Sequence, residues 1–309
     1  MQLKQLPVHR SGRNVLYDAT VTLLRGISQI FFQAKAIPGL LILIAFVVAD
    51  WQMALIVVLG CISSTVAGVL MRFPASKVRA GHHGFCGALV GAAAFAAMDS
   101  GWLAFLVSVL GGLLCGPVTW LLVQAFNSPP LKALQLPYLT GPFCVVASLM
   151  YFATSGNHVS QVPVVLDESL TALFFRSIVS NVSQVVLVDS VLVGLLILLA
   201  LFLSHWKVGL AALLGSTMLS VVAVTTGQDR LLLGHGMLGY SEVLVSIALA
   251  AVFLKGTWQP WVMAVVGTLL VGVVRIPLQH LYGVYTWPFV ITTWVLLAAV
   301  HFLPGIKRR

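Results

Sequence analysis

Acidic side chains are scarce in this sequence. Only 8 of its 309 residues are Asp or Glu, and charged residues of both signs make up 8% of the chain. A soluble domain of this length needs a much larger charged surface, and a proton- or sodium-coupled pump normally carries several acids inside its membrane helices. The composition therefore excludes an ordinary soluble domain and argues against an ion-coupled pump.

Recognisable catalytic and metal-binding motifs are also missing. The sequence contains no G-x-S-x-G, H-E-x-x-H or P-loop pattern and no pair of carboxylates at a usable spacing. Its four cysteines lie in apolar segments without a C-x-x-C pair, which is typical of small buried hydrophobic residues. We therefore predict neither an enzyme nor a bound cofactor or metal.

Apolar residues dominate instead. They make up 60% of the chain, and the mean hydropathy is +1.03, so lipid must be the solvent for most of the exterior. The net charge of +9 comes from cations at the chain ends and in short connections, as expected for residues that flank membrane spans. This distribution indicates an integral membrane protein in contact with the bilayer, and not a nucleic-acid-binding protein.

Apolar runs of helical character follow one another along the chain. They occupy residues 14–34, 37–49, 52–71, 84–97, 101–126, 138–155, 171–188, 191–204, 207–226, 238–254, 258–276 and 286–303. The runs 84–97 and 238–254 open with glycine-rich motifs and are shorter than a bilayer span requires. Because they lie among segments that can cross the membrane, we predict that both are re-entrant half-membrane helices.

The two halves of the sequence repeat one another. Three blocks recur in the same order, two at an offset of 155 residues and the last at 146: Ser28-Gln29 with Ser183-Gln184; Gly81, Gly84, Phe85 and Leu89 with Gly236, Gly239, Tyr240 and Leu244; and Thr140-Gly141-Pro142-Phe143 with Thr286-Trp287-Pro288-Phe289. Matches of this kind in one order predict an internal duplication.

The duplication and the charge pattern together predict the topology. Both chain ends are basic, which places both termini in the cytoplasm and requires an even number of spans. Five spans per half satisfy this condition and make the halves inverted repeats. We therefore predict an all-α polytopic membrane protein of about ten spans plus two half-membrane helices. Its segments are a basic arm (1–13), a first half (14–155), an inter-half loop (156–170), a second half (171–303) and a basic tail (304–309).

Repeated polar residues are the first candidates for a permeation path. Gln29 and Gln184 lie inside apolar helices, where an unpaired amide costs several kcal/mol. They either line a path at the repeat interface or form hydrogen bonds between helices. Thr140 and Thr286 each precede a proline by two residues, and the proline frees a backbone carbonyl. A column of oxygen acceptors and a plain proline kink are the two interpretations.

Apolar side chains in the same blocks suggest the other wall of such a path. Phe32, Phe85 and Tyr240 offer flat faces, and Leu89 and Leu244 lie one helical turn beyond the last two. An aromatic residue in a membrane helix usually packs against lipid or core, so only its place in the repeat favours a path. Acceptors on one wall and flat apolar faces on the other suit a small, planar, neutral solute with N–H donors.

Three ionisable residues in or beside the short segments are candidates for modulating the path. Glu242 is either a functional carboxylate or the partner of a nearby cation or helix N-terminus. His82 and His83 precede the first short segment, where a titratable gate is one hypothesis. Adjacent residues point to different sides of a helix, so the two histidines do not predict a shared metal site.

The motifs resemble those of the urea transporter family, and in particular its bacterial-type members. Leu136-Pro137-Tyr138-Leu139-Thr140-Gly141-Pro142-Phe143 reproduces the signature L-P-x-x-T-x-P-F, and residues 25–33 and 84–91 are similar to the first-repeat motifs of the family. The resemblance implies a homotrimer with one pore per protomer, in which urea passes single file between ladders of oxygen acceptors and slots walled by aromatic and aliphatic side chains.

The resemblance also implies which residues bind the permeant. The filter residues of the two halves would be Gln29, Phe32, Phe85, Leu89 and Thr140, with Gln184, Leu187, Tyr240, Leu244 and Thr286. Cys86 and Ser241 depart from the Asn that the family usually has at these positions. The expected function is passive, channel-like urea transport across the cell (inner) membrane. The alternatives are a channel of the same fold for another small amide or ammonia, and an ion-coupled secondary transporter.

Overall fold

A computed structural model describes residues 12–159, 165–166, 168–278, 281–303 and 305–309 of the protein. The predicted basic arm lies almost wholly outside the described residues, as does part of the inter-half loop. Fifteen α-helices are described: α1 Gly12–Ser28, α2 Ala36–Ala49, α3 Trp51–Leu70, α4 Ala75–Arg79, α5 Phe85–Met98, α6 Trp102–Phe126, α7 Pro129–Lys132, α8 Gly141–Ala153, α9 Leu170–Ser183, α10 Val191–Ser204, α11 Trp206–Thr225, α12 Arg230–Gly234, α13 Tyr240–Ile247, α14 Gln259–Leu278 and α15 Trp287–Phe302.

Shorter elements complete this helical architecture. Turns of 3-10 helix are formed by Gln29–Phe31, Ser155–Asn157 and Gln184–Val186, and α13 continues as a π-helix over Ala248–Phe253. Two strands, β1 Leu254–Lys255 and β2 Lys307–Arg308, pair antiparallel. The all-α prediction missed this strand pair, because two-residue strands are too short to leave a periodic pattern in the sequence.

Four helices in the described part of the chain are long and apolar enough to cross a membrane, namely α3, α6, α11 and α14. The pairs α1–α2 and α9–α10 each qualify as one bent span, which raises the number to six. Helices α2, α5 and α8 have 13 or 14 residues, so each rises about 20 Å against a hydrocarbon core of about 30 Å. Helix length alone therefore supports fewer spans than the ten predicted.

The backbone repeats at the same offset as the sequence motifs. Helices α2, α3 and α4 begin and end 155 residues before α10, α11 and α12, and Phe85–Met98 corresponds in the same way to Tyr240–Phe253. Both bent pairs turn by 78°. Each bend follows a residue in the left-handed conformation, Phe32 with φ 62° and Leu187 with φ 61°, which cannot continue a right-handed helix.

Glycine permits a close contact between the short helix and a long helix in each half. A Cβ on Gly60 of α3 would lie 2.2 Å from the carbonyl oxygen of Gly87 of α5, and a Cβ on Gly215 of α11 would lie 2.4 Å from the carbonyl oxygen of Glu242 of α13. Side chains at these positions would push the helices apart. The short helices α5 and α13 are therefore held against the long helices α3 and α11.

One continuous apolar core contains residues of both halves. Its largest fully buried side chains include Phe31, Phe46, Phe143 and Phe289. The four cysteines are free and buried, as predicted. Dense packing of this kind fixes the position of the polar side chains that the core surrounds.

The basic tail spans the two halves. Strand β2 pairs with β1 directly after the π-helix, and the backbone N–H of Arg309 donates to the carbonyl of Phe253 at 2.9 Å. The guanidinium of Arg308 donates to the carbonyls of Leu134 and Gln135 in the first half. The tail thus contacts both halves instead of projecting away from them.

Candidate functional site

Two glutamines occupy equivalent positions in the two halves. Gln29 and Gln184 each begin the 3-10 turn that follows α1 or α9. The Gln29 Nε2 donates to the carbonyl of Ala80 at 3.0 Å, and the Gln184 Nε2 donates to the carbonyl of His235 at 2.9 Å. Within the described residues neither side-chain oxygen accepts a hydrogen bond, and neither is fully enclosed. The amides are fixed, and their oxygens remain available as acceptors.

Two threonines bring the halves together. Thr140 and Thr286 precede α8 and α15, whose prolines occupy the first helical turn, where a missing N–H costs nothing. Their Oγ1 atoms lie 2.7 Å apart, and the Thr286 Oγ1 also lies 3.1 Å from the Sγ of Cys144. Both threonines are buried. Residues separated by 146 positions thus meet in one hydroxyl–hydroxyl hydrogen bond.

The residue before each threonine has an unusual backbone conformation. Leu139 has φ 52° and Tyr285 has φ 44°, so each reverses the chain just before a helix begins. The carbonyl of Tyr285 accepts a hydrogen bond from the hydroxyl of Tyr240 at 3.0 Å, whereas among the described residues the carbonyl of Leu139 has only the Sγ of Cys86 at 3.9 Å. A thiol is a weak donor, so the first-half carbonyl is the freer acceptor.

Most of the predicted second-half residues line one cavity of about 290 Å³. Gln184, Leu187, Tyr240 and Thr286 all face it, together with Phe143, Tyr151 and Tyr285. No charged residue is among its described lining residues. The cavity therefore combines hydroxyl and amide oxygens with flat aromatic faces and carries no ionic charge.

Phe32 lies beside a different cavity, of about 360 Å³. Its ring makes edge contacts with Phe253 and Phe289, with centroids 5.9 Å away in each case. We call this space the Phe32 cavity. Its lining residues are Phe32, Gln33, Lys35, His205, Lys207, Val208, Ala251, Val252 and Arg309. Both halves contribute to it: Phe32, Gln33 and Lys35 directly precede α2, which begins at Ala36, and Lys207 and Val208 lie at the start of α11, which begins at Trp206.

The remaining predicted filter residues lie deeper. Phe85 stacks on Tyr138, with centroids 6.1 Å apart and an interplanar angle of 11°. Leu89 and Leu244 are 1% and 0% exposed and belong to the apolar core. Neither leucine is among the described residues that line the two cavities. Both leucines therefore pack in the core and line neither of these two cavities.

The three ionisable candidates lie away from the two cavities. His83 is buried against the ring of Phe73, with centroids 4.2 Å apart, and its carbonyl accepts a hydrogen bond from the hydroxyl of Ser64. The carbonyl of His82 accepts a hydrogen bond from the hydroxyl of Tyr138 at 2.7 Å.

Glu242 pairs with a cation, which was one of the two interpretations. Its carboxylate is fully buried and forms an ion pair with Arg275 of α14. The partner lies 33 positions away and was not anticipated.

Sequence reasoning also missed residues that border the predicted ones. Tyr138 lies two residues before Thr140, and its ring contacts Phe85. Tyr285 directly precedes Thr286, and its ring contacts Phe143. Their place beside a repeated motif was the available signal. Lys35 and Arg309 gave no such signal, because no sequence pattern connects residues from opposite ends of the chain.

Comparison with known proteins identifies the family. Residues 20–301 match the urea transporter family. The chain is similar to urea transporter 1 of Capra hircus, with 29% identity over 306 residues that cover 92% of this chain and 78% of the relative. It is also similar to urea transporter 1 of Mus musculus, with 28% identity over 307 residues that cover 93% and 78%. These matches and the apolar helices indicate a multi-pass membrane transport protein and not an enzyme. The chain belongs to the urea transporter family.

Proposed function

We propose that this protein is a passive channel that carries urea across the membrane down its concentration gradient. Family membership supports urea as the permeant, and both relatives named above are urea transporters. The observation that carries the channel mechanism is the contact of Thr140 with Thr286, which joins the two halves at paired helix breaks. Hydroxyls of both halves meet at this point.

Urea chemistry fits these acceptors. A dehydrated urea must pair its N–H groups again, because an amide without partners loses about 2–7 kcal/mol on leaving water. The free oxygens of Gln29 and Gln184 and the hydroxyls of Thr140 and Thr286 are suitable acceptors. The proposed filter comprises these four residues with Phe32, Phe85, Leu89, Leu187, Tyr240 and Leu244. Movement of urea past the threonines requires their mutual hydrogen bond to open.

The wider arrangement is part of the same proposal. It comprises two inverted repeats of five spans, with the short apolar helices Phe85–Met98 and Tyr240–Phe253 as the half-membrane helices. The protein lies in the cell membrane with both termini in the cytoplasm, and three protomers assemble with one pore each. The 155-residue offset between α2–α4 and α10–α12 and the two 78° bends support the repeat, while the trimer follows from the family likeness.

The distribution of charge supports passive transport. Among the described residues, Glu242 is the one carboxylate that is buried, and Arg275 neutralises it. Ion-coupled transporters need ionisable groups that face the path and change their occupancy. The cavity shared by Gln184 and Thr286 is lined by uncharged residues, which suits a neutral solute.

Urea flux into proteoliposomes tests the proposal. We expect rapid uptake by stopped-flow light scattering without any sodium, proton or voltage gradient. Thr140→Val and Thr286→Val should each lower flux about tenfold, because each removes a hydroxyl acceptor worth about 1–2 kcal/mol. Thr119→Val is the matched control, since Thr119 is a buried threonine whose hydroxyl bonds within its own helix.

Three outcomes would contradict the proposal or part of it. Uptake that depends on an ion gradient would identify a coupled transporter instead of a channel. Unchanged flux in both threonine variants, with normal expression and melting temperature, would remove the threonines from the filter. Faster flux of ammonia or another small amide than of urea would reassign the permeant while retaining the path.

A further inference from the structure

The Phe32 cavity is strongly basic. Lys35, His205, Lys207 and Arg309 line it, and no Asp or Glu is among its described lining residues. The residues just before α2 in the first half meet the junction between α10 and α11 in the second half there. The Oγ of Ser204 donates to the Oε1 of Gln33 at 2.6 Å. The cationic groups therefore surround an open junction between the halves, where Lys35, His205 and Arg309 are exposed and Lys207 is partly buried.

Hydrogen-bond donors in this cavity exceed the acceptors that the protein supplies. The ammonium of Lys35 donates to the carbonyl of Ser204, which leaves two of its three N–H groups available. The Nδ1 of His205 accepts from the backbone N–H of Lys207 at 3.1 Å, so the ring proton lies on Nε2 and this atom is a donor. Lys207 lies 5.6 Å from the ring centre of Trp206 and has no ion-pair partner among the described residues.

Arg309 adds a guanidinium to the same cavity. It donates through Nη1 to the carbonyl of Ala251 at 2.6 Å, near the end of the π-helix. A guanidinium carries five N–H donors, so further donors remain after this bond. A small anion with several oxygens is the chemical complement of such a site, since charge-assisted hydrogen bonds to phosphate-type oxygens are the strongest that these groups form.

The positions related to this cavity by the repeat lack the equivalent charges. The residues 155 positions from Lys35, His205 and Lys207 are Ser190, Asp50 and Gln52. Asp50 caps α3 as His205 caps α11, because its Oδ1 accepts from the backbone N–H groups of Gln52 and Met53 at 2.6 and 3.0 Å. Helix capping therefore does not require a basic residue here. The basic set is an addition to the repeated framework.

We propose that the Phe32 cavity binds a small phosphate-type oxyanion, which blocks urea entry from that side. Phe32 borders the cavity, so an ion held there would cover the approach to one proposed filter residue. The effect on flux rests on the proposed function, whereas binding of the ion does not. The oxyanion is either free phosphate or the phosphate headgroup of an anionic lipid, since both present the same charged oxygens.

Binding of inorganic phosphate to the purified protein tests the site directly. Isothermal titration should give a saturable heat with the wild type that becomes at least about tenfold weaker in the double variant Lys35→Gln, Lys207→Gln, because two charged donors are lost. The matched control, Lys77→Gln with Lys132→Gln, removes two lysines elsewhere and should bind normally. Lys35→Arg with Lys207→Arg keeps the charge and should retain binding, which separates recognition from folding.

Flux measurements identify the source of the ion. In phosphatidylcholine vesicles, saturating phosphate on both sides should lower urea flux through the wild type and the control but not through the glutamine variant. If phosphatidylglycerol vesicles reproduce this inhibition without phosphate, the headgroup is the occupant; if they do not, free phosphate is. No binding heat with the wild type, or equal heat with the glutamine variant, would overturn the proposal. Absence of urea flux in every variant would refute the proposed function, while the titration would still decide the site.

Discussion

The two halves of this protein share a backbone but not a set of side chains. Helices α2, α3 and α4 begin and end 155 residues before α10, α11 and α12, both bends are 78°, and both are preceded by a left-handed residue. Glycine at positions 60 and 215 brings each short helix against a long one. A repeated fold therefore depends on a few backbone requirements, which leave the neighbouring side chains free to diverge.

The starts of the short helices show this divergence. Phe85, Cys86 and Gly87 of α5 correspond to Tyr240, Ser241 and Glu242 of α13. The second half thereby gains two interactions. The Tyr240 hydroxyl donates to the carbonyl of Tyr285, and Glu242 forms a buried ion pair with Arg275 of α14. Neither feature is needed to form the helix, because the first half forms it without them.

The cavities differ in the same way. The Phe32 cavity is lined by basic side chains, whereas the cavity that contains Leu187 is lined by uncharged ones. Since Phe32 and Leu187 occupy the same repeat position, a symmetric backbone here supports two chemically different approaches. A neutral solute meets no charge penalty at either, but an ion would experience the two very differently.

Breaking the ion pair of the second half should have the largest effect. Arg275→Met leaves the Glu242 carboxylate buried without its partner, and removal of one partner of a buried pair costs about 3–5 kcal/mol. The double variant Glu242→Ala, Arg275→Met should recover most of this loss, because the first half is stable with Gly87 at this position. Thermal unfolding in detergent measures both variants, with Arg230→Met on the exposed face of α12 as control. Equal losses in the single and double variants would contradict this account.

Removing the paired glutamines should have the next largest effect, and an equal one in both halves. Gln29→Leu and Gln184→Leu each remove a hydrogen bond to a backbone carbonyl and delete one acceptor from the proposed path. We expect each variant to lower urea flux about five- to thirtyfold, corresponding to about 1–2 kcal/mol. Gln124→Leu, which changes an exposed glutamine of α6, is the matched control. A loss confined to one half would show that the repeat is not functionally symmetric.

Local features of this fold were predictable from the sequence. The run 84–97 corresponds to Phe85–Met98, and the run 238–254 corresponds to Tyr240–Phe253. Apolar length, glycine and proline determine where a helix begins and ends, and these properties are local. The duplication was equally visible, because equivalent backbone breaks require similar residues at a fixed spacing.

Contacts between distant residues were not predictable. The bond between Thr140 and Thr286 joins positions 146 apart, and Arg275 reaches Glu242 from another helix. A single sequence records which residues recur but not which of them face each other across an interface. Leu89 and Leu244 were assigned to the path by their place in the repeat and by the family resemblance; both are buried in the core, and their contact with urea stays a prediction.

The smallest expected effect concerns the hydroxyl that distinguishes Tyr240 from Phe85. Tyr240→Phe should free the carbonyl of Tyr285 as an acceptor and raise urea flux about two- to fivefold, since one hydrogen bond is worth about 0.5–1 kcal/mol. Phe85→Tyr should lower urea flux, because its new hydroxyl can donate to the carbonyl of Leu139, the residue that corresponds to Tyr285. Tyr17→Phe, at an exposed position of α1, is the control for loss of a phenol. A decrease of flux in Tyr240→Phe would mean that the hydroxyl itself contacts urea, and the two halves would then differ in their permeant ligands as well as in their charge.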